Sequence, residues 1–173
     1  MTYTIQTLAA NPELETRRQL ATLLIDAVTS GASIGFLPPL APQEADAYWQ
    51  QVLSDVAQGS RLLWIASVDG MIVGSVQLDL CMRANGLHRA EIAKLIVHRE
   101  QRRQGIGRAL MGALEQAALA TGRTTLVLDT RQGDPSEALY TALGYQPSGV
   151  IPQYARSANG QLHATAFYYK VLV

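Results

Sequence analysis

The run Arg102-Arg103-Gln104-Gly105-Ile106-Gly107 constrains this chain more than any other stretch. Before it lies Glu91-Ile92-Ala93-Lys94-Leu95-Ile96-Val97, an apolar strand pattern. After it Ile106, Leu110, Leu114 and Ala117 recur at helical spacing. Two glycines at a strand-to-helix turn leave a row of free backbone N–H groups at the positive end of a helix dipole. That arrangement cradles phosphate. Two nucleotide loops are excluded. No G-x-x-x-x-G-K-[ST] occurs, and G-x-G-x-x-G fails because Leu110 stands where the third glycine belongs. What remains is R-x-x-G-x-G entering a helix, a run that also suits a turn needing only small residues.

The rest of the chain alternates strand and helix signals around that turn. Tyr3 to Leu8 reads as a strand. Asn11-Pro12-Glu13 reads as a helix start, with Asn11 as N-cap and Pro12 at the first helical position; Gly31 closes that helix. Gly31 to Leu40 is apolar but broken by Gly35, Pro38 and Pro39, so it is either packing between helices or a loop that shapes a pocket. A second helix runs from Pro42 to Gly59. Strands at Leu62–Val68 and Met71–Leu80 are joined by Asp69-Gly70, a hairpin signal. After the Asn85-Gly86 turn comes the strand Arg89 to Val97, and the helix beyond the glycines ends near Gly122. Thr124–Leu128 reads as a short buried strand. Asp134-Pro135-Ser136-Glu137 reads as a capping box opening a short helix to Gly144. Tyr145–Ile151 and Leu162–Leu172 are the last strands, with a turn at Ser157–Gly160. The expected order is β-αα-βββ-α-β-α-ββ, an α/β (α+β) mixed sheet with helices on it, as one domain over residues 1–173.

Composition narrows the partners. With 14 basic and 14 acidic residues the formal net charge is zero, which argues against nucleic-acid binding through bulk charge. Cys81 is the one cysteine, so no internal disulfide forms and a reducing, cytoplasmic setting is expected. Met1-Thr2-Tyr3-Thr4-Ile5 has no basic region and no long apolar run, so neither a signal peptide nor a membrane span is expected. His88, His98 and His163 show no metal-ligand spacing, and no metal is expected. Nothing specifies an oligomeric state.

Leu95-Ile96-Val97, followed by Arg99, Arg102, Gly105 and Gly107, resembles the acetyl-CoA loop of the GNAT (GCN5-related N-acetyltransferase) superfamily. Ala138-Leu139-Tyr140-Thr141-Ala142-Leu143-Gly144-Tyr145 is similar to that superfamily's A-x-x-L-Y-x-x-x-G-[FY] helix, with the register one residue tighter before the tyrosine. The element order also resembles the acyl-CoA N-acyltransferase fold. Gly31-Ala32-Ser33-Ile34-Gly35-Phe36, Leu63-Trp64, Asn85-Gly86-Leu87, Arg89-Ala90-Glu91, Leu128-Asp129-Thr130 and Asn159-Gly160-Gln161-Leu162-His163 resemble the superfamily's tabtoxin-resistance members most closely. The resemblance implies acetyl-CoA as cosubstrate, held by Leu95, Ile96, Val97, Arg102, Arg103, Gln104, Gly105, Ile106, Gly107 and Arg108. It implies direct attack by a small-molecule amine in a ternary complex, the expected acceptor being an amino-acid-like toxin or antibiotic. The chain departs from the family at one point. Many members carry an Asn that contacts CoA before the tyrosine-bearing helix; here that place falls near Gly133. Backbone donors of the loop are left to carry the pyrophosphate.

Acetyl transfer to an amine needs a polarised thioester carbonyl, loss of the ammonium proton and stabilisation of the departing thiolate. The resemblance implies that backbone N–H groups near Ile96 and Val97 face the thioester oxygen. Glu91 and Asp129 are acids in otherwise apolar strands, where a carboxylate is costly unless paired or useful. The resemblance implies that they take the amine proton, through water. Two negative charges hold a cation and raise each other's pKa. Which is the principal base stays open, as does the alternative that each is a strand-end carboxylate satisfied by an arginine or an N–H. Tyr140 is the acid expected at the sulfur, unless it only packs with Leu139 and Leu143. Ser33, Phe36 and Arg131 are expected at the acceptor, Arg131 either binding a carboxylate or pairing with an acid. Two rival readings are weighed: acetylation of another small amine such as a polyamine or aminoglycoside, and a non-catalytic acyl-CoA sensor. The lack of an acidic cluster disfavours an aminoglycoside. The presence of Glu91, Asp129 and Tyr140 together disfavours the sensor.

Overall fold

The computed structural model describes residues 2–173; Met1, where the expected domain begins, lies outside them. The elements follow the expected order: β1 (Thr4–Thr7), α1 (Leu14–Thr29), α2 (Pro42–Ala57), β2 (Arg61–Val68), β3 (Met71–Leu80), β4 (Arg89–Val97), α3 (Ile106–Ala120), β5 (Thr125–Arg131), α4 (Ser136–Ala142), β6 (Gln146–Arg156) and β7 (Leu162–Val171). The strands form one sheet in the order β1-β2-β3-β4-β5-β7-β6. Neighbours are antiparallel except β4 and β5, which are parallel and joined by the crossover helix α3.

Strand alternation sorts the core into two layers. Leu63 and Ile65 of β2, with Ile96 of β4, pack against Leu20, Leu23, Leu24, Ala27, Trp49 and Val52 of α1 and α2. Their neighbours Trp64 and Ala66 face the other way, onto Ile106, Leu110, Met111 and Leu114 of α3. Gly74 of β3 lets α3 come close. A Cβ there would lie 3.1 Å from the Ile96 carbonyl oxygen and 3.2 Å from Ile106 and Leu110 side-chain atoms. The Asp69-Gly70 turn has both residues left-handed (φ 49° and 79°), as a two-residue hairpin twisted to match its strands requires.

Three local expectations need correction. Helix α1 starts at Leu14, not at Pro12. Glu13 is extended (ψ 156°), so Asn11 and Pro12 stay outside the helix and no side chain caps it. The capping box before α4 does not form. The Asp134 carboxylate is drawn aside to accept from Arg131 Nε at 2.9 Å, while Glu137 reaches back to accept from the Gly133 N–H at 2.6 Å. Strand β6 does not stop at Ile151. A register shift between Ile151 and Ala155, with Gln153 at φ 53°, carries it past Pro152 to Arg156. Proline is tolerated there because β6 is an edge strand.

Candidate functional site

The two middle strands part company. β4 and β5 pair at only three positions, Arg89 with Thr125, Ala90 with Leu126 and Glu91 with Val127. Beyond Glu91, no strand among the described residues continues the ladder on that side of β4. The register between β3 and β4 also shifts there: Ser75 faces Ile96 and Gln77 faces Ala93, so Lys94 and Leu95 together oppose Val76. This is a β-bulge, and Lys94 sits in it at φ 52°. Leu95 and Val97 pack toward α3 while Ile96 packs toward α1 and α2. What Leu95–Val97 can offer a ligand is therefore backbone on the side facing the gap.

The glycine turn closes the wide end of that gap. Gly105 precedes α3 at φ 82°, and a Cβ on Gly107 would lie 3.4 Å from Leu139 and 3.9 Å from Val97. The first turn of the 15-residue helix α3 thus presents its N–H groups with little side chain in the way. Ile106 is buried, so its side chain belongs to the core and only its amide faces the turn. Arg103, Gln104 and Arg108 are exposed around it. Arg102 is tied back: its Nε donates to the Val97 carbonyl at 3.0 Å and its Nη2 to Ser30 Oγ at 2.8 Å. It anchors the turn to the end of α1. Arg99 makes a second anchor, donating from its backbone N to Asp26 Oδ2 at 3.0 Å and from Nε to Oδ1. Burial alone would raise the Asp26 carboxyl; those hydrogen bonds and the neighbouring His98 outweigh it and hold the carboxyl below its ordinary value. These parts fit an acyl-CoA: backbone donors for a pyrophosphate beside an unfilled strand edge.

Glu91 and Asp129 lie on adjacent strands on the α1/α2 face of the sheet, because Glu91 pairs with Val127 and Asp129 is two residues further on. Both are open to solvent, yet surrounding protein removes enough water to push both carboxyls up. For Glu91 the repulsion of Asp129, then of Asp79, adds to this; for Asp129, Lys94 pulls back. Neither carboxylate is neutralised by an ion pair among the described residues.

Lys94 was not singled out in the sequence, although a charge in an apolar strand is the same signal that marks Glu91. Its ammonium stands over the Tyr48 ring, 5.8 Å from the centroid. Burial pushes its pKa down, Asp129 pulling the other way. Beneath it Gln77, wholly buried, donates from Nε2 to Tyr48 Oη at 3.0 Å and accepts from Arg61 Nη1 at 2.6 Å. Arg61 also pairs with Asp79 at 2.9 Å. This buried polar line fixes the Tyr48 ring on which the ammonium rests.

Tyr140 is 6% exposed on α4, within ring contact of Tyr145 and Tyr168 at centroid distances of 6.0 and 6.2 Å. Burial, then the charge of Asp129, pushes its hydroxyl up to about 12. Glu137 pins the start of α4 by accepting from Tyr168 Oη of β7. Tyr145, just beyond α4, is buried at 2% exposure. Cys81 is only half-buried, its thiol pulled down first by a hydrogen bond from the Arg83 backbone.

Ser33 and Phe36 line a cavity of about 220 Å³ between the Gly31–Pro38 loop and the Ala155–Ala158 turn, with Arg131 in its wall. Arg131 is fully engaged. It donates to Asp134, to Ser157 Oγ at 3.1 Å and to the Gly31 carbonyl at 3.2 Å. Of the two roles open to it, pairing with an acid is the one observed, and the pairing joins three loops around the cavity. Among the described residues no helix is long and apolar enough to cross a membrane, and no group of His, Cys, Asp or Glu is placed to hold a metal ion.

The fold is thus a mixed sheet split beside a glycine turn, with two carboxylates on the face next to the split. A profile of the acetyltransferase (GNAT) family matches residues 33–145, and the chain belongs to that family. It is 35% identical over 109 residues to an uncharacterised N-acetyltransferase from the hisH–hisA intergenic region of Azospirillum brasilense, covering 62% of this chain and 63% of the relative. The match thus spans less than two thirds of the relative's length. An N-acetyltransferase structure from Staphylococcus aureus superposes with a TM-score of 0.83 at 16% identity over 100% of both chains. A phosphinothricin acetyltransferase from Sinorhizobium meliloti, in complex with AcCoA, does so at 0.81 and 21% identity over 99% of this chain and 89% of that one.

Proposed function

We propose that the protein transfers an acetyl group from acetyl-CoA to the amine of a small molecule, an amino-acid-like toxin or antibiotic of the tabtoxin type being the acceptor. The observation that carries this is the strand edge left open beyond Glu91, with the glycine turn at one end and Glu91 and Asp129 on the floor beside it. Family membership and the AcCoA-bound fold neighbour support the donor. The phosphinothricin acetyltransferase among the neighbours supports an amino-acid-like acceptor.

Acetyl-CoA, when bound, supplies an acetyl group already activated as a thioester. Backbone N–H groups of Arg103–Arg108 hold its pyrophosphate, and the free edge of β4 orients the acyl end. Glu91 and Asp129 hold the acceptor's ammonium and take its proton. Their raised pKa values make each a stronger base than an ordinary carboxylate. Tyr140, kept protonated by its burial, donates its hydroxyl proton at the departing sulfur. The acceptor attacks the thioester directly within a ternary complex.

The test is a panel of amino acids, polyamines and aminoglycosides offered with acetyl-CoA while free thiol is followed. Amino-acid-type acceptors should release thiol fastest. Tight CoA binding without turnover on any amine would overturn the catalytic reading.

A further inference from the structure

The arginines around the acceptor cleft are engaged, Arg156 in the cavity wall through the Gly160 carbonyl at 2.7 Å. Arg61 is bound by Asp55, Asp79 and Gln77, and Arg131 by Asp134, Ser157 and the Gly31 carbonyl. Lys94 forms no ion pair among the described residues, although Glu91 and Asp129 share its face of the sheet. Its Nζ rests instead on the Tyr48 ring and beside Gly35, where an added Cβ would lie 3.7 Å away. Tyr48 packs edge-on against Phe36 at 5.2 Å between centroids, and both Gly35 and Phe36 line the 220 Å³ cavity. The ammonium therefore stands at the seam between the acid pair and the cavity. Getting it there requires the bulge in β4 and a left-handed backbone at a lysine, a conformation that costs energy and persists only when the surroundings enforce it. A half-buried ammonium is better satisfied by a contact anion than by Asp129 and Glu91 acting on it from a distance, and the acceptor can supply one.

We propose that Lys94 binds a carboxylate, or an equivalent anionic group, on the acceptor, so that the site selects zwitterions over simple amines. The acceptor's ammonium faces Glu91 and Asp129, its anionic group faces Lys94 over Tyr48, and the remainder enters the cavity under Gly35 and Phe36. This deepens the acetyl-transfer reading and rests on it for the placing of the amine. Lys94 reads the acceptor and has no contact with the donor's pyrophosphate, which belongs to the glycine turn at the other end of the gap.

The experiment compares L-leucine, L-glutamine and L-phosphinothricin, each with its primary carboxamide, by calorimetric binding in the presence of CoA and by thiol release with acetyl-CoA. Wild type should bind at least one acid about tenfold or more tighter than its amide. Lys94→Met, with the same reach and no charge, should bring that ratio close to one while leaving CoA binding unchanged. Lys94→Arg should keep most of it. Should Lys94→Met fail to fold, Lys94→Gln is the neutral variant to use. No acid preference in wild type, no binding of any acid, or a preference that survives loss of the charge overturns the proposal. So does a variant that shifts the acid limb of the pH profile but keeps the acid preference, because Lys94 would then serve only as counter-ion to Glu91 and Asp129. Acid-selective binding without thiol release from any amine would leave Lys94 assigned and overturn acetyl transfer instead.

Discussion

Glu91 and Asp129 share one property that decides their behaviour: protein surrounds each without neutralising it. Glu91→Gln and Asp129→Asn are expected to lower kcat by about 100-fold or more if each acts as base, with the Kd for acetyl-CoA unchanged. Stability should move the other way. An acid whose pKa is raised by folding binds more protons folded than unfolded, so stability falls as pH rises from the ordinary carboxylate value through the raised one. Both amide variants should therefore melt higher than wild type at pH 7, a difference that vanishes below pH about 4. Tyr140→Phe should slow turnover by about tenfold to 100-fold, and less with acyl donors whose thiols are more acidic, because such sulfurs need the proton less. The two acids were legible because a charge breaks an apolar strand pattern. Lys94 breaks the same pattern. What hid its position was the bulge, which comes from the register between β3 and β4 and leaves no mark in the sequence of β4 alone.

At the level of elements, glycine positions separate two kinds of constraint. Gly74 is where β3 meets the crossover helix, and Gly74→Ala should destabilise by about 1–3 kcal/mol through overpacking against Ile96, Ile106 and Leu110. Gly112 sits mid-way along α3, where a Cβ meets nothing within 4 Å, so Gly112→Ala should stabilise by about 0.5–1 kcal/mol. Urea midpoints of the two variants should move in opposite directions. Gly105→Val puts a branched residue at φ 82° and should weaken acetyl-CoA binding more than it lowers the midpoint. Helix and strand periodicity placed β2, β3, β4, α2 and α3 within about two residues. The misses fell at ends, and at α4 the cause was a side chain with two partners open to it. Asp134 has the right identity to cap α4 and is claimed by Arg131, three residues earlier, whose guanidinium also reaches the Gly31 carbonyl.

Across the whole molecule, the order of elements was readable, and Ser33, Phe36 and Arg131 do meet at one cavity, but how distant segments join around it was not legible. The donor turn is local, six residues between a strand and a helix. The acceptor side is assembled from α1, the Gly31–Pro38 loop, β5 and the β6–β7 turn, residues up to 100 apart joined by Arg131. Asp26 is the matching tie on the other side, linking α1 to the segment after β4. Asp26→Ala should cost about 1–3 kcal/mol at pH 7. Because folding lowers the Asp26 pKa below 3.8, its contribution is present above that value and lost as pH falls through the lowered one, so the chemical-denaturation curves of variant and wild type should converge in acid.

The three rungs between β4 and β5 have one more consequence. A sheet laced at one end only is an unfinished zipper, and whatever fills the opening takes the place of the absent lacing. Donor binding and folding then draw on the same backbone groups. Amide protons on the open margin of β4 should exchange with deuterated solvent quickly in the free protein and slowly once acetyl-CoA is present. The melting temperature should climb with the logarithm of its concentration, by the equivalent of about 2.7 kcal/mol at a hundred times Kd.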